Sequence, residues 1–285
     1  MLHRRMRPFL LPLCLTAAAA WAQPVPGGGV CGEVVTLATR EGSSTRMAFM
    51  PPAAASGAPV TLLLLPGGHG HIDLDDKGCA RKLKGNSLVR SIPLFGAAGL
   101  GTALVDAPAD WQGEDGLGGY RIAPRHAQDL GQVIAALRTR TQGAVWVVGT
   151  SRGAISAVNA ASRLSGPAAP DGLVLTSALM AGQAGAKKDW VAHSVFDLPL
   201  EDIRMPVLVV GHAGDSCVRS PASEMGRIVA RTRSPREQVV TMTGGPAQPA
   251  PRGLEACEGR TPHGFVGQEA EVVEGIARFV RGAAF

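Results

Sequence analysis

Between the apolar run Ala144 to Val148 and the helical stretch Ala154 to Ala161 the chain has only five residues, Gly149-Thr150-Ser151-Arg152-Gly153, in which to turn. A strand that passes into a helix this abruptly needs glycines around the turn, and it holds the central serine out at the sheet edge with its hydroxyl exposed. The N-terminus of the following helix adds free N–H groups and a positive dipole end where negative charge could develop. The pentad alone is short enough to arise by chance. Its strand-to-helix setting gives it force, and makes Ser151 a candidate nucleophile with the Arg152 N–H beside it.

The rest of the chain repeats that alternation. Strand-length apolar runs occur at Thr61 to Leu65, Leu100 to Val105, Ala144 to Val148, Leu173 to Thr176, Val207 to Val210 and Gln238 to Thr241. Glu33 to Met50 reads as a pair of edge strands. Between them, Leu130, Val133, Ile134 and Leu137 fall on one helical face, as do Val272, Ile276, Phe279 and Val280. Short uninterrupted apolar strands separated by helices predict parallel strands covered on both sides. Two connections exceed what packing needs: Ala107 to Arg125, with Trp111 and Tyr120, and Leu179 to Met205, with Trp190, His193 and Phe196. Long ordered loops of this kind are often binding loops or lids.

With these elements in order, the chain resembles the α/β-hydrolase superfamily from about residue 33 to its C-terminus, with esterases and dienelactone-hydrolase-like enzymes as the nearest models. The resemblance implies a mostly parallel central sheet flanked by helices, with a short lid insertion before the acid-bearing strand. It also implies an order of nucleophile, acid and histidine on loops after successive strands. Asp215, in Gly211-His212-Ala213-Gly214-Asp215 after a strand, stands at the acid position, and His263, in Thr261-Pro262-His263-Gly264-Phe265, at that of the general base. Leu65-Pro66-Gly67-Gly68-His69-Gly70 resembles the oxyanion loop, with the Gly68 N–H as donor beside that of Arg152; His69 is the alternative donor. His69, Trp111, Tyr120 and Trp190 are the candidate substrate-binding side chains.

The expected activity is hydrolysis of a carboxylic ester through an acyl-enzyme. The small-molecule ester is the expected partner, and no cofactor or metal is implied. Serine stands where dienelactone hydrolases often have cysteine, which counts against a lactone substrate. A serine peptidase or amidase would use the same triad, and a non-catalytic binding protein could share the fold. His69-Gly70-His71-Ile72-Asp73 echoes the opening of a zinc-hydrolase motif, but Leu74 stands where that pattern has a further histidine.

The basic segment with Arg4, Arg5 and Arg7, the apolar stretch Pro8 to Ala20 and the small-x-small signal Ala20-Trp21-Ala22 read as a secretory leader over residues 1–22, followed by a single α/β domain over 23–285. The apolar stretch falls short of the roughly 20 residues of a spanning helix, so no membrane insertion is expected after cleavage. Cys14 lacks the small residue that precedes a lipidated cysteine. The protein is expected to be exported, periplasmic or secreted. There, Cys31, Cys79, Cys217 and Cys257 would form disulfides. Spacing does not reveal their pairing. The fold implied by the resemblance brings Cys31 near Cys79 and Cys217 near Cys257, so these pairs are expected. The formal charge of +5 includes the leader's arginines, and the basic residues form no runs, which gives a nucleic-acid partner no electrostatic support.

Overall fold

The structure, a computed structural model, describes residue 1 and residues 31–53, 58–246, 251 and 253–285; beyond its first residue, the expected leader lies outside the described residues. In chain order the elements are β1 (Glu33–Arg40), β2 (Ser43–Met50), β3 (Val60–Leu65), α1 (Ser87–Ala97), β4 (Gly101–Val105), α2 (Pro124–Thr141), β5 (Ala144–Thr150), α3 (Gly153–Arg163), β6 (Gly172–Thr176), β7 (Val207–His212), α4 (Gly226–Val229), β8 (Glu237–Met242) and α5 (Glu269–Val280). The strands form one sheet in the order β1-β2-β4-β3-β5-β6-β7-β8. β1 to β2 and β2 to β4 are antiparallel, and every other pairing is parallel. The mostly parallel sheet flanked by helices is therefore present. One detail differs: β2 lies between β1 and β4, so only β1 of the first pair is an edge strand.

The composition of the central strands follows from their two covered faces. Leu63, Leu65, Val145, Val147, Leu173 and Val209 pack with Leu130, Val133, Ile134 and Leu137 of α2 and with the small residues of α3. Their sequence neighbours Leu62, Leu64, Trp146, Val148, Val174 and Leu208 point the other way, against Phe95 of α1 and Val272, Ile276 and Phe279 of α5. Each large aliphatic side chain buried in this way contributes about 1.5–3 kcal/mol. β8, at the open edge, instead alternates exposed and half-buried positions along its length.

The connection from Leu179 to Met205 is divided. Val195, Leu198, Leu200 and Ile203 are almost fully buried in the first core, whereas the stretch before them carries Trp190 out over the end of β5. The expected insertion is thus anchored along its second half.

Cys31 is bonded to Cys79, tying the segment before β1 to the loop after β3, and Cys217 is bonded to Cys257. Replacing both Cys31 and Cys79 by serine is expected to lower unfolding free energy by about 2–4 kcal/mol in denaturant titration, through the freer unfolded chain.

Candidate active site

The turn after β5 is built against steric resistance. Ser151 sits at φ 52°, a left-handed conformation that costs a non-glycine residue roughly 1–2 kcal/mol. The flanking glycines make that turn possible. A Cβ on Gly149 would lie 2.5 Å from the Gly153 carbonyl, and one on Gly153 would collide with the Leu65 carbonyl of β3. The backbone is tied down on both sides: Ser151 N donates to Thr176 O at 3.0 Å, and Leu179 N donates to Ser151 O at 3.2 Å.

The loop after β3 lies directly against this turn. A Cβ on Gly67 would stand 2.9 Å from Ser151 Cβ and 3.5 Å from Arg152 N, so only glycine permits this approach. Gly68 follows at φ 58°. The N–H groups of Gly68 and Arg152 donate to no acceptor among the described residues.

Asp215 follows β7, and its carboxylate accepts from Cys217 N at 2.9 Å. The other oxygen, Oδ2, is 2.8 Å from Nδ1 of His263, with both side chains almost fully buried. The disulfide of Cys217 to Cys257 links the loops that carry these two residues. His263 is held at its backbone as well: its N–H donates to Thr261 Oγ1 at 3.1 Å, and its carbonyl accepts from Ser177 Oγ at 2.7 Å. Ser177 immediately follows Thr176, the residue that receives the Ser151 N–H, so the end of β6 braces both loops. The other imidazole nitrogen, Nε2, is buried and has no hydrogen-bond partner among the described residues, Ser151 Oγ included.

Beneath the β3 loop lies a residue absent from the sequence expectations. Arg121 is fully buried, and its guanidinium donates to Ser156 Oγ at 2.8 Å and to the carbonyls of Pro66, Gly67 and Gly68 at 3.0, 3.5 and 3.4 Å. In a trans peptide the N–H points opposite to the carbonyl. Drawing the Gly67 and Gly68 carbonyls toward Arg121 therefore turns the N–H groups of Gly68 and His69 to the other side of the loop. No carboxylate pairs with Arg121 among the described residues; burial, with the charge of Arg152 second, pushes its pKa down to about 9. A single arginine in a long glycine-rich loop gives no sign of such a buried cation.

Ser156 accepts from Arg121 and also faces Nε2 of His126 at 2.9 Å, so its single hydroxyl hydrogen serves the imidazole. Burial, then the positive charges of Arg121 and Arg40, push His126 down to about 3, leaving it neutral under ordinary conditions.

Of the candidate substrate-binding side chains, His69 lies on the β3 loop and accepts from His71 N through Nδ1 at 3.2 Å. Trp190 lies over the Arg152 guanidinium, 4.2 Å from its carbon to the ring centroid. Trp111 and Tyr120 are instead stacked on one another, and the Tyr120 hydroxyl donates to Asp129 at 2.8 Å. That pair braces the start of α2.

The metal-like sequence His69-Gly70-His71-Ile72-Asp73 does not converge. His71 pairs with Asp106, whose carboxylate also accepts from Ile72, Leu74 and Ala107 N–H groups, and Asp73 faces Arg81. Among the described residues, Asp215, Cys217 and His263 are the one group with metal-like proximity, but Cys217 is in a disulfide and the other two bind each other. A cavity of about 830 Å³ lies at the opposite end of the sheet, against Pro52, Pro59, Val60 and Ala144. Ligands of open α/β sheets bind at the carboxyl ends of the strands, where Ser151, Asp215 and His263 stand.

No protein-family model and no curated protein matches the chain. Solved structures do. A dienelactone hydrolase from Anabaena variabilis aligns over 88% of this chain and 97% of its own, with a TM-score of 0.57 and 16% identity. An α/β serine hydrolase homologue from Coxiella burnetii aligns over 87% and 97%, with a TM-score of 0.53 and 17% identity. A proline iminopeptidase from Mycobacterium smegmatis aligns over 87% and 98%, with a TM-score of 0.56 and 13% identity. The chain has the α/β-hydrolase fold.

The buried neutral imidazole has a measurable consequence. His126 is protonated in the unfolded chain below its ordinary value of 6.5 but in the folded protein only near 3, so the unfolded state binds more protons between these values. Stability is expected to fall as pH drops through that window, by on the order of 4 kcal/mol from this group alone. Denaturant melts at several pH values should show a shallower acid slope for His126→Gln than for the parent. Parallel slopes would contradict the assignment.

Proposed function

We propose that this protein is a serine hydrolase that cleaves carboxylic esters through an acyl-enzyme on Ser151. The observation that carries the reading is the buried His263 imidazole. Its Nδ1 is engaged by Asp215, while Nε2 is buried without a hydrogen-bond partner among the described residues, at the sheet edge that presents the strained serine. A carboxylate on one ring nitrogen with the other left open is the arrangement a general base requires; His126, whose Nδ1 is likewise buried without a partner among the described residues, faces Ser156 rather than a carboxylate.

The chemistry follows from these positions. With the Nδ1 hydrogen directed to Asp215, Nε2 carries the lone pair and accepts the Ser151 proton as Oγ attacks the ester carbonyl. The carbonyl oxygen becomes an oxyanion, stabilised by the N–H groups of Gly68 and Arg152. Collapse expels the alcohol, protonated by His263 Nε2. Water then attacks the acyl-enzyme with the same histidine as base, releasing the acid and regenerating Ser151. Asp215 keeps the imidazole in the required tautomer and stabilises its cationic form. The two disulfides, together with the leader expected over residues 1–22, support export to an oxidising compartment.

A panel of p-nitrophenyl esters of rising acyl length, run beside an aminoacyl p-nitroanilide, tests the reading. Ester turnover is expected to exceed anilide turnover. Ser151→Ala should lose about 10⁴- to 10⁶-fold in kcat, and Asp215→Asn roughly 10⁴-fold, without loss of fold by circular dichroism. A fluorophosphonate should label the parent at Ser151. Unlabelled Ser151 in folded protein would overturn the hydrolase reading, and faster anilide cleavage would move it to an amidase or peptidase.

A further inference from the structure

The charges around Ser151 are unbalanced. Three arginines are coupled there: Arg121 under the β3 loop, Arg152 immediately after the serine, and Arg219 on the segment following Asp215. The nearby carboxylates are committed elsewhere: Asp215 faces His263, and Asp115 is paired with Lys188. None of the three arginines forms an ion pair among the described residues.

The three differ in what their donors do. The two terminal nitrogens of Arg121 donate to Ser156 and the loop carbonyls, and its Nε is buried without a partner among the described residues. Arg219 donates to the Ala181 carbonyl at 3.5 Å and to Gln183. Arg152, partly buried, makes no side-chain hydrogen bond or ion pair among the described residues. Its neighbour is the face of Trp190, at 4.2 Å, and Trp190 is itself packed against Gly118, where a Cβ would lie 2.9 Å from the indole. This contact holds the guanidinium over the indole, and its N–H donors have no partner among the described residues. Burial, then the charge of Arg219, pushes Arg152 down to about 10, so it remains a cation at neutral pH.

A guanidinium held in place with open donors can receive an anion, and its planar fork matches the two oxygens of a carboxylate. The Trp190 contact also explains the glycine at position 118, since a side chain there would displace the indole on which Arg152 rests. Resting on the assignment of Ser151 as nucleophile, we propose that Arg152, held on Trp190 and flanked by Arg219, binds a carboxylate of the substrate, so that the preferred substrate is an ester bearing a second, free carboxylate. That carboxylate can belong to the acyl or the alcohol portion.

Two matched pairs separate these cases: monoethyl succinate against ethyl succinamate, with the charge on the acyl side, and 4-acetoxybenzoate against 4-acetoxybenzamide, with the charge on the leaving group. The charged member of at least one pair is expected to have a kcat/KM about ten- to a hundredfold higher, the scale of one charge-assisted contact. Arg152→Gln and Arg219→Gln should each bring the ratio toward one, mainly through KM, with Arg152→Lys falling between. Equal or lower kcat/KM for the charged members of both pairs would overturn the inference while leaving the hydrolase reading intact. If none of the four esters turns over, protection of Ser151 from fluorophosphonate decides: protection by succinate but not by succinamide supports the carboxylate site, and equal or absent protection overturns it. Failure of Ser151 to label at all removes the hydrolase reading and this inference together.

Discussion

The left-handed turn at Ser151 is the constraint around which the site is arranged. A serine at φ 52° is held there by contacts that no longer-range rearrangement could replace cheaply. Gly153 lies against β3, Gly149 against Gly153, and the Ser151 amide is bound to the end of β6. Because β3, β5 and β6 are adjacent parallel strands, this one turn brings together the loop of Gly68, the elbow of Ser151 and the Ser177 hydroxyl that grips the His263 carbonyl. Strain at the serine and order in the neighbouring loops are parts of one packing arrangement.

A second layer lies behind that surface. Arg121 orders the carbonyls of the β3 loop, Ser156 receives Arg121 and turns its own hydrogen to His126, and Asn159 donates to the Arg121 and Ala123 carbonyls at 2.9 and 2.8 Å. These polar side chains come from α3, the first turn of α2 and the loop before it. Their effect is to specify which side of the loop presents N–H groups. The uncompensated charge of Arg121 also places positive potential behind the position proposed for the oxyanion, in surroundings where water screens it poorly.

Much of this is legible in the sequence. The six apolar runs coincide with strands to within a residue or two at each end; for the first five the reason is that helices cover both faces of the sheet and exclude polar residues from the strands, whereas β8 is an open-edge strand. The order of Gly68, Ser151, Asp215 and His263 along the chain was also readable. α1 was not: Pro93 and Gly96 interrupt its helical pattern, and its buried face is small. Arg121, Ser177 and Asp106 escaped notice for a different reason. Each is polar and adjacent to a loop, where polarity is expected, and each acquires its role only from partners distant in sequence. Tyr120 and Trp111 show the converse: aromatic residues in a long loop invite a ligand-binding reading, yet here they pack on one another and on Asp129.

A crystal structure of the protein after reaction with a phosphonate ester examines the central claim at the atoms concerned. The phosphorus should be bonded to Ser151 Oγ, with the phosphonyl oxygen about 3 Å from the N–H groups of Gly68 and Arg152 and His263 Nε2 directed at the ester oxygen. A phosphonyl oxygen turned away from both N–H groups, or an adduct on any residue other than Ser151, would contradict it.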